Sequence, residues 1–184
     1  MSISLLQRLI ETPSFSREEI ETANKIEKYL QNNQVKTHRI ENNIWTFNKY
    51  FDENLPTILL NSHHDTVRPV EGWTRDPFKP SHEDGKIYGL GSNDAGASLV
   101  GLINAFLFFY NHKNLKYNLL LAATAEEEIS GANGIALLLK NLPPNLHIAF
   151  GIVGEPTNMQ MAIAEKGLMV VDAVAHGKAG HAAR

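Results

Sequence analysis

The chain has 184 residues, 43% of them hydrophobic and 20% charged, with a formal net charge of −3. That length allows one ordinary domain, or one domain with part of another, and the composition predicts a sizeable core. The acidic balance excludes the basic stripe of a nucleic-acid binder. The absence of cysteine excludes disulfides and thiolate-held zinc.

In chain order, a first helix is predicted over residues 4–11, stopping near Pro13. Ser16-Arg17-Glu18-Glu19 reads as a capping box, Ser16 being the N-cap and Glu19 the third helical residue, ahead of Ile20, Ala23, Ile26, Tyr29 and Leu30 at helical spacing. Residues 35–40 and 44–50 alternate as two strands around Glu41-Asn42-Asn43. Segments 57–61, 117–123 and 148–153 are nearly all apolar, the pattern of strands buried on both faces. Helices over 95–111 and 133–141 lie between them, the later one ended by Asn141-Leu142-Pro143-Pro144. The helix over 95–111 is too short and too close to charge for a membrane span. No basic region leads into a long apolar run at the N-terminus, so no signal peptide is read and a soluble, cytoplasmic protein is expected. Strands alternating with helices predict an α/β fold of three layers, α/β/α, around a mixed, mainly parallel sheet. Residues 168–175 form a last alternating strand before His176-Gly177-Lys178-Ala179-Gly180-His181, which reads as the opening of an element whose partner strands are absent.

Four apolar runs end in polar stops: His63-His64-Asp65, Asp94, Glu126-Glu127-Glu128 and Glu155. In an open α/β sheet such ends share the edge where ligands bind, and imidazole with carboxylates is a metal-ligand set. His63 and Asp65 are two apart, so an extended chain points them the same way. Asp65 can then orient the ring of a ligating His63, or the pair is only a polar strand end. Asp94, ahead of a helix, is either an N-cap or a carboxylate able to bridge two cations. Of the three consecutive glutamates at least one must point inward, and a buried carboxylate needs a cation or a raised pKa. Glu155, before Pro156, is a turn acid or a ligand. The conjunction of all four favours a metal site.

These motifs, together with Gly72-Trp73, Asp76-Pro77-Phe78, Asp84 to Asp94, Glu165-Lys166-Gly167 and Gly177 to His181, resemble the metallo-deacylase and peptidase family of acetylornithine deacetylase, succinyl-diaminopimelate desuccinylase and glutamate carboxypeptidase. The resemblance implies two divalent ions, zinc with cobalt as an alternative. His63 and Glu155 would hold one ion, Glu128 the other, with Asp94 bridging. It implies Glu127 as general base, Asp65 as the group orienting His63, His181 as an oxyanion-stabilising residue and a cis Asp94–Ala95 bond. It divides the chain into an incomplete zinc-peptidase-like catalytic domain, 1–165, and the start of a lid and dimerisation domain, 166–184. A final histidine ligand expected from the family's C-terminal return is missing, so weak catalysis is expected of this chain. His82, His112, His147 and His176 match no motif and read as surface or structural. The implied substrate is a small N-acyl amino acid, N-acetylornithine first and N-succinyl-ornithine, succinyl-diaminopimelate or a dipeptide next. The implied full-length assembly is a homodimer; the contrasting reading is a non-catalytic domain that keeps the fold and binds a partner.

Overall fold

The computed structural model describes residues 3–164, 167, 169 and 171–177. The elements are α1 (Ile3–Ile10), α2 (Ile20–Asn32), β1 (His38–Ile40), β2 (Asn43–Phe47), β3 (Thr57–His63), β4 (Ser81–Glu83), β5 (Lys86–Tyr88), α3 (Ser98–Phe109), β6 (Asn118–Thr124), α4 (Ile135–Asn141) and β7 (Ile148–Val153). Five strands form one mixed sheet in the order β1-β2-β6-β3-β7. β3, β6 and β7 run parallel, and the β1–β2 hairpin joins antiparallel through β2 and β6.

Side-chain alternation along β6 divides the core between two faces. Leu119, Leu121 and Ala123 meet buried residues of α1, α2 and α3, among them Leu5, Ile26 and Phe106. Leu120 and Ala122 meet Leu59 and Leu138, the latter on α4. The expected three layers are thus present. Because β3 and β6 are parallel and in register from Thr57–Asn118 to His63–Thr124, they stop side by side. Buried asparagines finish the strand ends: Asn118 donates to the Asp52 and Leu55 carbonyls, and the Asn43 side chain accepts from the Ala125 N–H.

Several expectations need correction. Ser16 does not cap α2, which starts at Ile20 with Glu19 in the capping position and no side-chain cap bond. Phe15 bridges to Thr66 in parallel, bringing the Ser16 hydroxyl to Asp65 at 2.8 Å, and Arg17 at φ 76° breaks any helical run. The helix expected from residue 95 is regular only from Ser98, because Ser92–Ala97 is an irregular wide turn with Asp94 at φ −109°, ψ 101°. β7 is not buried on both faces: it sits at the sheet edge with Phe150, Ile152 and Val153 exposed. The β4–β5 hairpin was not foreseen, although Asp84-Gly85, both at positive φ, is a strong turn signal. Of the strand expected over 168–175, residues 168 and 170 lie outside the described residues and the remainder are exposed and form no strand. No helix among the described residues is long and apolar enough to cross a membrane.

Leu120 is fully buried at the centre of the sheet. Leu120→Ala is expected to cost about 2–5 kcal/mol, read as a lowered urea midpoint with an unchanged slope.

Candidate metal centre

The His63 ring, 1% exposed, is the hub at the end of β3. Its Nδ1 lies 3.0 Å from the Asp65 carbonyl and 3.4 Å from Asp65 Oδ1. Its Nε2 faces outward, 3.1 Å from Asp94 Oδ1, 3.8 Å from Glu127 Oε2 and 3.9 Å from Glu155 Oε2. Ligand atoms of His63, Asp94 and Glu155 all fall within 4.8 Å of one another. Three of the four polar stops therefore converge directly, and the fourth reaches the same point through Glu127.

Asp65 is fully buried and does more than face His63. Its Oδ1 accepts the Glu127 N–H at 3.1 Å, and its Oδ2 accepts the Glu128 N–H at 3.1 Å and the Ser16 hydroxyl at 2.8 Å. Burial alone would push this carboxyl up. Hydrogen bonds from His63, Ser16 and the two amides outweigh it and hold the group below its ordinary value.

The inward member of the glutamate run is Glu126, buried and at φ 56°. Its two oxygens accept from the Asn133 side chain at 2.9 Å and the Asn133 N–H at 3.2 Å. The carboxylate lies where a Cβ on Gly131 would stand, so residue 131 has room only for glycine. This left-handed turn brings Glu127 toward His63 and Glu128 toward Asp94. Glu128 lies outside the three-residue cluster. Burial, then the nearby Asp94 charge, push its carboxyl up.

Asp94 is carried by the turn that Gly91 opens at φ 72°, where a side chain would strike Thr66. It does not act as an N-cap; it points at His63 instead. The Asp94–Ala95 peptide is cis, as the resemblance implied. Glu155 follows β7 and is set by two hydroxyls: Ser62 donates to the Gly154 carbonyl at 2.8 Å and Ser98 to the Glu155 carbonyl at 3.3 Å. Burial and the neighbouring acids push the Glu155 carboxyl up, against the pull of His63.

Three features escaped the sequence reading. His64 alternates away from His63 and is buried, its Nδ1 2.9 Å from Thr22 Oγ1 and its Nε2 3.0 Å from the Asn42 carbonyl. Burial pushes it down to about 4. Glu19 is the second, buried and holding backbone amides. The third is an open recess of about 550 Å³ lined by Val70, Trp73, Arg75, Tyr88 and Ser92. It is bounded by the segments that leave Asp65 and approach Asp94. His181 lies outside the described residues. His82, His112, His147 and His176 are exposed, and none of them belongs to the cluster.

The donor set fits a divalent cation. Asp94, Glu127, Glu128 and Glu155 crowd one imidazole, and among the described residues no lysine or arginine pairs with any of them. Burial pushes His63 down, but Asp65, Glu155 and Glu127 push it further the other way, to about 9. Nitrogen and carboxylate donors of this kind suit zinc, cobalt or manganese.

The profile of Peptidase family M20/M25/M40 matches residues 59–175, and the chain belongs to that family. Among curated relatives it is 38% identical, over 67% of its length, to the acetylornithine deacetylase of Proteus mirabilis, and 28% identical, over 98%, to the succinyl-diaminopimelate desuccinylase of Blochmanniella floridana. It spans 31% of the first and 51% of the second. Among solved structures it is similar to an M20-family metallo-carboxypeptidase from Sulfolobus solfataricus, with TM-score 0.67, 25% identity, and coverage of 84% of this chain and 37% of that one. It is also similar to a dinuclear metal-binding M20-family peptidase from Bacillus subtilis, with TM-score 0.56, 25% identity, and coverage of 75% and 38%. Chain and relatives share the α/β fold of the catalytic domain.

The two adjacent histidines give the metal-free protein opposite pH limbs. His64 is depressed to about 4 from 6.5, so its contribution is present above pH 6.5 and is lost as pH falls toward 4. His63 is raised to about 9, so its contribution is complete below pH 6.5 and is lost as pH rises through 9. Thermal melts against pH are expected to show both limbs, and His64→Asn should flatten only the acid one.

Proposed function

We propose that the protein is a metal-dependent amidohydrolase that removes the N-acyl group from an amino acid, converting N-acetylornithine to ornithine in arginine biosynthesis. The observation that carries the hydrolytic reading is the crowding of four carboxylates around the buried His63 imidazole. Glu127 is anchored through its N–H to Asp65 while its carboxylate stands half-exposed beside the cluster, where a general base has to be. It would take the proton of the attacking water and return it to the departing amine. His63, Asp94 and Glu155 would hold one ion, with Asp94 and Glu128 contributing to a second. When bound, zinc, or cobalt in its place, supplies Lewis-acid polarisation of the amide carbonyl and a lowered pKa for water.

The choice of N-acetylornithine is supported by the 38% identity to an acetylornithine deacetylase. The longer match to a succinyl-diaminopimelate desuccinylase favours N-succinyl substrates as the second reading. Residues 1–165 would form the catalytic part. Residues 166–184 would open a lid and dimerisation domain, in which His181 stabilises the oxyanion of the substrate. We further place the protein in the cytoplasm, acting as a homodimer when full-length, with residues 1–184 weakly active by themselves.

Turnover of N-acetyl- and N-succinyl-ornithine, measured with added zinc or cobalt, tests the reading; release of neither ornithine nor acyl group at any metal concentration would overturn it. Glu127→Gln is expected to lower kcat by about 10²–10⁴-fold while metal binding persists. A metal titration of this chain is expected to find one tightly held ion. His63→Ala should abolish it, as seen by equilibrium dialysis.

A further inference from the structure

Glu19 touches none of the groups that face the candidate centre, yet its side chain is completely buried at the start of α2. Its Oε1 accepts the Arg17 N–H at 2.7 Å and the Glu126 N–H at 3.2 Å, and its Oε2 accepts from Asn42 Nδ2 at 2.9 Å. Both oxygens face only donors, which is what a carboxylate satisfies and an apolar side chain leaves orphaned.

The next two amides along the chain, those of Glu127 and Glu128, end on Asp65. Three consecutive N–H groups past the end of β6 are thereby held by two buried carboxylates. One comes from the segment before α2 and the other from the segment after β3. A turn with Glu126 at φ 56° has few alternatives once all three donors are fixed. Without Glu19 the Glu126 amide loses its acceptor, and the turn from which Glu127 and Glu128 project keeps only Asp65, Asn133 and its internal Gly131 and Ser130 N–H bonds to brace it.

We propose that Glu19 is a positioning residue that sets, through the Glu126 amide, where the Glu127 and Glu128 carboxylates stand in the candidate metal centre. The inference about metal affinity rests on the hydrolytic-site reading; the part about the turn does not.

Two variants and one measurement on the unaltered chain test it. Glu19→Ala removes both acceptor atoms. The metal-free variant is expected to exchange the Glu127 and Glu128 amide protons at least ~10-fold faster by NMR, and cobalt affinity should fall about 10–100-fold, as for groups that support metal ligands. Glu19→Gln keeps one acceptor oxygen for the two amides, while the part-exposed Asn42 amide can turn to meet the new NH₂. It is expected to stay within about threefold of the unaltered protein in both readouts. Wild-type exchange and affinity in Glu19→Ala, or equal loss in both variants, would overturn the proposal. If Glu19→Ala does not fold, native-state exchange of the unaltered chain decides. Amides 126, 127 and 128 should open together, whereas Glu126 exchanging much faster than its two neighbours counts against the clamp. Altered exchange in a protein that hydrolyses no acyl amino acid would retain the clamp and discard the hydrolytic reading.

Discussion

A strand that stops inside a protein leaves peptide N–H groups without partners, and a buried donor left unpaired costs about 1–3 kcal/mol. At the end of β6 four such groups occur in a row: Asn43 receives that of Ala125, and Glu19 and Asp65 receive the next three. Much of the site's geometry follows from that solution. Asp65 can accept the amides of Glu127 and Glu128 only because β3 and β6 are parallel and end level with each other. The same carboxylate, its charge favoured by four hydrogen-bond donors, can then face His63 Nδ1 and leave Nε2 directed at the acids. Ser16 is drawn away from α2 by the same group.

The electrostatics are lopsided in a way that a self-contained fold does not need. Glu128 and Glu155 are raised by burial and then by neighbouring acids, Asp94 and Glu127 among them, and His63 is raised by the carboxylates around it against the pull of burial. Charges of one sign gathered at a strand edge are tolerable where a cation is to be held. The acids are not supported alike. Glu126 is locked by Asn133, and Glu155 is steadied by Ser62 and Ser98 through its backbone and that of Gly154. Glu127 and Glu128 depend on the clamp.

The parallel core was legible because apolar runs and strand ends are local signals: β3, β6 and β7 fall within two residues of their expected limits. The meeting of His63 and Glu155 followed from strand ends sharing one sheet edge, whereas Asp94 ends no strand of that sheet and reaches the cluster from the turn ahead of α3. What was not legible is long-range. Ser16-Arg17-Glu18-Glu19 has every local mark of a capping box, but Asp65 and Glu126, far along the chain, compete for its side chains and win. No window of sequence names the inward member of Glu126-Glu127-Glu128; Asn133 and the space at Gly131 decide it. The exposure of β7 depends on which neighbours cover it, and composition does not carry that.

The donor side chains of the candidate centre also sit on ground of unequal firmness. His63 ends a strand flanked on both sides and almost wholly enclosed, whereas Glu155 ends the edge strand, most of whose side chains face outward. Local opening is easiest where few apolar contacts must be broken. Fraying of β7 therefore loosens Glu155 while His63 keeps its grip. For an ion held as proposed, release would then follow opening of the sheet's margin before opening of its interior.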